Sequence, residues 1–214
     1  MDSYAIKDVN TIPYFTNDED IRVALVDLLT QHYKKYSHPF KIVDELGVSH
    51  GATRIDIAVV NGFMHGYEIK SDRDTLERLP EQVSSFSKVF DKVTLVVGRA
   101  HILPALEVIP EWWGVEVAVA DTNKHVEFRT VREAEQNPAQ ESVAIAQLLW
   151  REEALRILEQ KEAATGLRSK PRATIYQQLA QILDIEALKD EVRTTLLNSR
   201  QGWRSDVPLM TNGD

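Results

Sequence analysis

Residues 53–70 have the sequence TRIDIAVVNGFMHGYEIK, and this stretch decides the fold. The segment Thr53–Val60 carries apolar residues at alternate positions, which predicts a strand with two different faces. Asn61 and Gly62 together are a strong signal for a hairpin turn. The segment Phe63–Lys70 is then the return strand, so the whole stretch predicts an antiparallel hairpin.

The elements on either side of the hairpin alternate between helix and strand. A helix before it has apolar residues at helical spacing up to about Tyr33, and Thr16 with Glu19 fits a capping box at its start. After the hairpin, Pro80 is typical of the first turn of a helix. The strand that follows this helix is expected to pair in parallel with the second hairpin strand, because a strand–helix–strand crossover usually makes its two strands parallel. The other predicted elements are the strands Lys41–Val48, Lys92–Gly98 and Trp113–Ala120 and a short helix over Ile102–Val108. This order predicts an α/β fold, a mixed β-sheet flanked by helices.

The last third of the sequence is helical in character. Asn137 and Pro138 are typical of a helix start, and the apolar spacing after them predicts one long amphipathic helix that ends near Gly166. Two more helices are predicted over Ala173–Leu183 and Ile185–Asn198. We therefore divide the chain into an α/β domain, residues 1–135, and a C-terminal helical extension, residues 136–214.

Composition excludes several classes of protein. Hydrophobic residues are 43% and charged residues 27% of the 214 residues, which is typical of a globular chain. There is no cysteine, so disulfides, thiolate metal sites and cysteine nucleophiles are excluded. The first residues do not form a signal peptide, and no apolar run approaches the roughly 20 residues that span a bilayer. We expect a cytoplasmic protein without membrane contact.

The net charge of −8 is unevenly distributed along the chain. Residues 101–163 contain twelve acidic and six basic residues, whereas residues 164–204 contain four acidic and seven basic ones. The run from Gly166 to Leu183 has no acid and contains three basic residues, Arg168, Lys170 and Arg172. These three form either a solvated loop or a patch that contacts the phosphates of a nucleic acid, and we favour the second interpretation.

The two hairpin strands carry the residues with the clearest chemistry. Asp56 lies on the first strand, and Glu68 and Lys70 lie on one face of its partner because side chains alternate with a period of two. Two carboxylates that converge from adjacent strands form a hard oxygen site suited to Mg²⁺ or Mn²⁺, with the Ile69 carbonyl as a further ligand. Such a cation polarises a phosphoryl oxygen and lowers the pKa of a bound water, and Lys70 beside that water can stabilise charge in the transition state.

A shared metal site constrains the register of the hairpin. A two-residue turn would pair Asp56 with Tyr67 and would put Asp56 and Glu68 on opposite faces. We therefore expect either a three-residue turn that includes Phe63 or a bulge at or near Gly66.

A Glu-x-Lys pattern by itself carries little information. Glu159-Gln160-Lys161 repeats it on a predicted helix, where the two charges are a solvated pair. The alternative for the hairpin is that Asp56 and Glu68 are edge-strand charges that discourage aggregation.

The sequence around the hairpin resembles the PD-(D/E)XK nuclease superfamily. The resemblance rests on TRIDIAVV (53–60), on GYEIKSD (66–72) and on Gln82, and it covers roughly residues 18–120. Within the superfamily the chain looks closest to the MmcB-like, DNA-repair-related and phage-associated group, because of LPEQ (79–82) and PEWWG (110–114). The superfamily implies a restriction-endonuclease-like sheet of four strands flanked by helices. Its three core positions correspond to Asp56, Glu68 and Lys70.

The resemblance also implies a function, namely Mg²⁺-dependent cleavage of phosphodiester bonds in DNA, in repair, recombination or phage biology. Gln82, four residues before Phe86, resembles a Gln-x-x-x-Tyr element that lies near the metal and the DNA in some branches. The superfamily often adds one more acidic residue, and of Glu19, Asp20 and Glu45 we favour Glu45, because acids at a helix start are explained by capping. The alternative function is a catalytically silent DNA-binding or scaffold module on the same fold. A homo-oligomer or a protein partner would use the C-terminal helices.

Overall fold

The structure, a computed structural model, describes residues 14–199. Its strands are β1 (Lys41–Val48), β2 (Thr53–Val60), β3 (Met64–Lys70), β4 (Lys92–Val97), β5 (Gly114–Ala120) and β6 (Val126–Arg132). Its helices are α1 (Asp18–Tyr33), α2 (Leu79–Phe86), α3 (Ile102–Leu106), α4 (Ser142–Ala146), α5 (Arg151–Gln160), α6 (Arg172–Ile182) and α7 (Ile185–Ser199). None of the helices between residues 14 and 199 combines the length and the hydropathy that crossing a bilayer requires.

The strands form one mixed sheet in sequence order from β1 to β6. Strand β2 pairs antiparallel with both of its neighbours, β1 and β3. Strands β3, β4 and β5 run parallel, and β6 pairs antiparallel with β5. This confirms the predicted fold class, a mixed sheet flanked by helices with C-terminal helices. Within residues 14–199 the sheet has six strands rather than the four that the resemblance implied. The strand that the sequence did not predict, β6, is an edge strand with mostly exposed side chains, so it lacks a strong apolar alternation.

The turn of the central hairpin has three residues, as the metal-site argument required. Strand β2 ends at Val60 and β3 begins at Met64, and the two strands pair in a regular register that includes Ala58 opposite Gly66. The Asn61 side chain accepts a hydrogen bond from the Phe63 amide at 2.9 Å, which closes the turn. The return strand therefore starts one residue later than predicted, and the pairing of β2 with β3 has no bulge at Gly66.

Each face of the sheet is covered by different helices. One face packs against α1 through a cluster that includes Leu25, Ile57 and Ile69. The other face packs against α2 and the C-terminal helices through a larger cluster, in which Leu95 of the sheet and Leu188 of α7 are both fully buried. Residues on both sides of the predicted boundary near 135 thus share one core, and that boundary stays a prediction.

The C-terminal helices are fixed to the sheet by a buried ion pair. Lys189 of α7 lies 2.7 Å from Asp91, and the side chains are 6% and 2% exposed. Asp91 also accepts a hydrogen bond from the Met64 amide at 2.7 Å. This carboxylate therefore links α7 to the first residue of β3, next to the hairpin turn.

Two predicted helix starts are wrong. Helix α1 is capped by Asn17, whose side chain accepts from the Asp20 amide at 2.9 Å, whereas Thr16 donates its hydroxyl to Asp72 at 2.8 Å. Asn137 does not begin a helix, because its buried side chain donates to the carbonyls of Ser87 and Phe90.

The long helix predicted between residues 138 and 166 is also wrong, because it is divided into α4 and α5. Trp150 is the extended residue before α5. Its amide donates to the Glu153 carboxylate at 2.7 Å, which is a cap that a continuous helix would not need.

The buried imidazole of His65 makes the stability of the fold sensitive to acid. His65 lies between the Thr94 hydroxyl at 2.8 Å and the Tyr67 hydroxyl at 3.2 Å and stacks on the Tyr67 ring. Burial lowers the pKa of His65 to about 3, and the charge of Lys92 acts in the same direction. Below its ordinary pKa near 6.5, the unfolded chain therefore binds a proton that the folded chain does not.

We predict that His65→Gln removes part of the acid sensitivity of folding. In the parent, the buried neutral His65 lowers the free energy of unfolding by about 1.4 kcal/mol for each unit by which the pH falls between about 6 and 4. Urea unfolding across that range should show a shallower pH dependence for the variant. The matched control is the exposed His125→Gln, which should have the parental slope. Equal slopes for parent and His65→Gln would contradict the assignment of a neutral, buried imidazole.

Candidate functional site

A polar pocket of about 370 Å³ lies where α1, the sheet and α2 meet. Its walls come from the start of α1, from β1, from the beginning of β2, from the end of β3 and from the segment around α2. The lining contains six acidic residues, Asp18, Glu45, Asp56, Glu68, Asp74 and Glu81, against three basic ones, Arg54, Lys70 and Arg78. The pocket is therefore net acidic.

The register of the sheet aligns three of these acids. In β2 and β3, Ile57 pairs with Tyr67, so the next position places Asp56 opposite Glu68. In β1 and β2, Asp44 pairs with Ile57 and Leu46 with Ile55, which places Glu45 beside Asp56. One carboxylate from each of three adjacent strands thus faces a common region.

The carboxylate of Asp56 is held by two groups. One oxygen accepts from the Ile69 amide at 2.7 Å, and the other accepts from the Arg22 guanidinium at 2.7 Å. Arg22 also donates to the Asp56 carbonyl at 2.9 Å. Burial lowers the pKa of Arg22, but the charge of Asp56 and its hydrogen bond outweigh burial and raise the pKa above its ordinary value.

Arg22 is the hub of an acidic cluster. Besides Asp56, it lies 2.8 Å from Asp44, 3.3 Å from Asp18 and 3.3 Å from Glu45. Glu45 has a φ of 55°, in the left-handed region that a side chain with a Cβ rarely adopts. The strain of this conformation is stored beside the pocket, which is where strained residues often have a function.

Glu68 is the most buried acid of the pocket, with 1% of its surface exposed. Its Oε1 atom accepts from Lys70 Nζ and from Gln82 Nε2, both at 2.5 Å. Its Oε2 atom is buried and has no hydrogen-bond partner among the described residues, and the same is true of Gln82 Oε1. Burial, and next the negative charge of Asp56, raise the pKa of Glu68 to about 8, against the opposing effect of Lys70. A hydrogen bond between the Glu68 and Asp56 carboxyl groups, which needs a proton on one of them, acts in the same direction as burial.

These two buried oxygens, Glu68 Oε2 and Gln82 Oε1, can each accept a hydrogen bond or coordinate a cation. Leaving a buried acceptor without a donor costs about 1–3 kcal/mol, and more when the group is charged. Both oxygens are hard ligands of the kind that divalent cations such as Mg²⁺ prefer. No cluster of three or more His, Cys, Asp or Glu side chains with metal-binding geometry occurs within residues 14–199, so a cation here would have at most two carboxylate ligands from this set.

The structure brings together all of the residues predicted for the metal site. Asp56, Glu68, Ile69 and Lys70 line the pocket, and so does Gln82. Glu45, the favoured candidate for the additional acid, also lines it, whereas Glu19 and Asp20 do not.

The position of Phe86 differs from the element that it resembled. The Phe86 ring is fully buried and stacks near the Trp113 ring, with 6.4 Å between the ring centres. It belongs to the core, so the element has no counterpart of the tyrosine hydroxyl. Trp113 is a core residue as well.

The three predicted phosphate contacts, Arg168, Lys170 and Arg172, do not line the pocket. All three are exposed in the loop before α6 and at its start, and Arg168 lies 2.6 Å from Glu159. Burial lowers the pKa of His50, and the nearby charge of Arg172 lowers it further. His50 directly precedes Gly51, which lines the pocket, so the start of α6 lies near the pocket wall.

The sequence indicated Lys70 but not the three arginines of the site, Arg22, Arg54 and Arg78. Arg22 is one residue in an amphipathic helix, and only its spacing of four from Asp18 could have pointed to a role. Arg54 and Arg78 reach the pocket through the register of β2 and the position of the loop before α2, which no local pattern specifies.

We predict that Arg22→Gln destabilises the fold by about 2 kcal/mol, because it removes charged hydrogen bonds and leaves Asp18, Asp44 and Asp56 without their shared cation. Urea unfolding at low ionic strength measures the change. The matched control is Arg54→Gln, which removes an exposed arginine from the same pocket and should cost less than about 0.5 kcal/mol. Equal effects of the two substitutions would show that Arg22 has no special role.

Comparison with known proteins places the chain in a phage family. The family model described as Bacteriophage P4 protein cII matches residues 14–208. Protein cII of Enterobacteria phage P4 is 31% identical over 116 residues, which are 54% of this chain and 42% of that protein. The chain thus matches less than half the length of this relative. No solved structure matches the chain.

These matches correct the resemblance drawn from the sequence. Neither the family nor the relative is described as a nuclease, so the assignment to the PD-(D/E)XK superfamily and the prediction of DNA cleavage are wrong. The short motifs around Asp56 and Glu68 therefore occur in a chain that belongs to a different family from the one they resemble. The expected association with phages is confirmed. The match over residues 14–208 covers most of the sequence, and the chain belongs to the Bacteriophage P4 protein cII family.

Proposed function

We propose that this protein binds a divalent cation, Mg²⁺ or Mn²⁺, in the acidic pocket and uses it to hold the phosphates of DNA. The observation that carries the proposal is the Glu68 carboxylate, which is 1% exposed and has one oxygen without a partner among the described residues. Such a group is costly to the fold unless a ligand satisfies it.

The donor set favours a hard cation. Asp56, Glu68 and Gln82 offer oxygen atoms, and Ile69 also lines the pocket. The lining residues include no histidine, and the sequence contains no cysteine, so the soft and borderline metals lack their usual ligands here. Mg²⁺ is usually held by one or two carboxylates together with several waters, which agrees with this small set.

The charges of the pocket also favour a cation over an anion. The lining holds six acids and three bases, and Arg22 adds one cation beside Asp56. The short Glu68–Lys70 contact compensates one charge, but Asp56 and Glu45 share the single guanidinium of Arg22 with two further acids. A divalent cation would reduce this repulsion.

DNA is the ligand that fits the rest of the surface. Arg54 and Arg78 are exposed at the pocket, and Arg172 lies beyond it near His50. Arginine forks recognise phosphate oxygens well, and a bound Mg²⁺ or Mn²⁺ adds a positive charge at the same place. The proposal concerns binding, and the oligomeric state and the cellular location stay predictions.

The cation proposal predicts that Glu68→Gln and Asp56→Asn each weaken metal binding by about tenfold or more, because each removes a charged ligand and keeps the side-chain shape. Electron paramagnetic resonance of Mn²⁺ titrated with protein measures the free ion directly. Circular dichroism checks that both variants are folded.

Glu116→Gln is the matched control, because Glu116 is a partly buried carboxylate of β5 that does not line the pocket. It should bind Mn²⁺ as the parent does. The proposal fails if the parent binds no Mn²⁺ at millimolar concentration, or if the Glu116 variant is weakened as much as the Glu68 variant.

The DNA proposal predicts that replacing Arg168, Lys170 and Arg172 together by Ala weakens duplex binding at all sequences. The slope of log affinity against log salt should become shallower by up to about 0.9 for each lost phosphate contact. The control variant replaces Lys124 and Arg129, two exposed cations near the other edge of the sheet. An unchanged salt slope in the triple variant would assign these residues to a solvated loop or to contact with another protein.

A further inference from the structure

A second pocket, of about 670 Å³, lies at the opposite end of α1 from the acidic pocket. Four of its lining residues are aromatic: Tyr33, Tyr36, Phe40 and Phe63. They come from the end of α1, from the loop to β1 and from the hairpin turn between β2 and β3. We call this group the aromatic pocket. It takes no part in the proposed cation site, since α1 is 16 residues long and so separates its two ends by about 24 Å.

The rings of the aromatic pocket are open to solvent to different degrees. Tyr36 is 56% exposed, although tyrosine is a large and partly apolar residue. His32 packs on Tyr36 with 5.4 Å between ring centres, and Tyr33 packs on Phe40 at 5.6 Å. The rings therefore support one another in fixed positions while parts of their faces stay accessible. Such an arrangement can stack on planar groups without reorganising.

The chain around these rings is basic, in contrast to the protein as a whole. Residues 28–43 contain three lysines and two histidines and no acidic residue, in a chain of net charge −8. Lys34 and Lys35 stand between Tyr33 and Tyr36 in the sequence, are exposed, and form no salt bridge with any residue of the described range 14–199. Lys41 is used differently, because its ammonium donates to the Leu196 carbonyl at 3.0 Å.

Aromatic faces and free cations together specify the class of ligand. A polyanion is attracted by the lysines, and a ligand with flat, unpaired rings is bound by the aromatic faces. A purely apolar protein surface would gain nothing from the lysines, and an acidic peptide would gain little from the rings. A DNA duplex keeps its bases stacked on one another, so only a single strand presents both features.

We propose that the aromatic pocket binds single-stranded nucleic acid, with bases stacked on Tyr36 and its neighbours and phosphates on Lys34 and Lys35. This site does not depend on the cation site and adds a second contact at the far end of α1. A nucleic acid that reached both sites would follow the long axis of α1.

The test uses the full chain and a fluorescent single-stranded DNA of about 15 nucleotides, in EDTA so that the cation site makes no contribution. Fluorescence anisotropy gives the dissociation constant. Tyr36→Ala should weaken binding by about 5- to 100-fold, because it removes a stacking face. Tyr36→Phe keeps that face and should bind as the parent does, which separates stacking from the hydroxyl group. Lys34→Gln with Lys35→Gln should make the salt slope shallower by about 1.4, or about 0.7 for each contact on a single strand.

The control is Phe15→Ala, which removes another exposed aromatic residue, 64% accessible, from a position outside the aromatic pocket. It should leave the affinity unchanged. Thermal denaturation of all variants shows whether they are folded, and since Tyr36, Lys34 and Lys35 are exposed, we expect no loss of stability. Three results would overturn the proposal: parental affinity in Tyr36→Ala, an equal loss in Phe15→Ala, or a loss in Tyr36→Ala that is as large for a duplex of the same length as for the single strand. Loss of Mn²⁺ binding in Glu68→Gln with unchanged single-strand binding would leave this proposal standing, so the two sites are tested separately.

Discussion

The register of the β2–β3 hairpin is the constraint on which the acidic pocket depends. A turn of three residues, closed by Asn61, places Asp56 opposite Glu68. With a turn one residue shorter, every side chain of β3 would point to the other face, and Glu68 would leave the pocket. Asp91 reinforces this register from the other side of the turn, because it accepts from the Met64 amide and pairs with Lys189 of α7.

The fold holds charged groups in the pocket at a cost that its own contacts offset only in part. Asp56 is satisfied by the Ile69 amide and by Arg22, but Glu68 keeps one buried oxygen without a described partner. Burial of Glu68 and the nearby charge of Asp56 raise the pKa of Glu68 to about 8, so a proton competes with a cation for this carboxyl near neutral pH. Buried ionisable groups with a shifted pKa concentrate at functional sites, where a bound ligand can supply the opposite charge that the protein itself does not provide. This is the physical basis for proposing a cation.

Much of the fold and of the site follows from local sequence patterns. The strands β1 and β2 begin and end where the sequence predicts, and Asp56 and Glu68 of the hairpin line one pocket. Local sequence patterns do not predict the features that depend on tertiary contacts, namely the break between α4 and α5 and the role of Arg22. Trp150 interrupts a continuous apolar periodicity because Glu153 caps a new helix there, and Arg22 becomes a hub only when β1 and β2 bring Asp44 and Asp56 to it. The resemblance to a nuclease superfamily is wrong for a related reason, since a short acidic motif on a hairpin defines a local chemistry and does not define the family.

The central claim is that Asp56 and Glu68 share a divalent cation. The most direct measurement is a crystal structure of the protein grown with Mn²⁺, with diffraction recorded at a wavelength where manganese scatters anomalously. Our account predicts a single strong anomalous peak in the pocket, within about 2.0–2.4 Å of oxygen atoms of both carboxylates. Occupied Mn²⁺ sites elsewhere on the surface, with only water or a displaced Lys70 ammonium between Asp56 and Glu68, would contradict it.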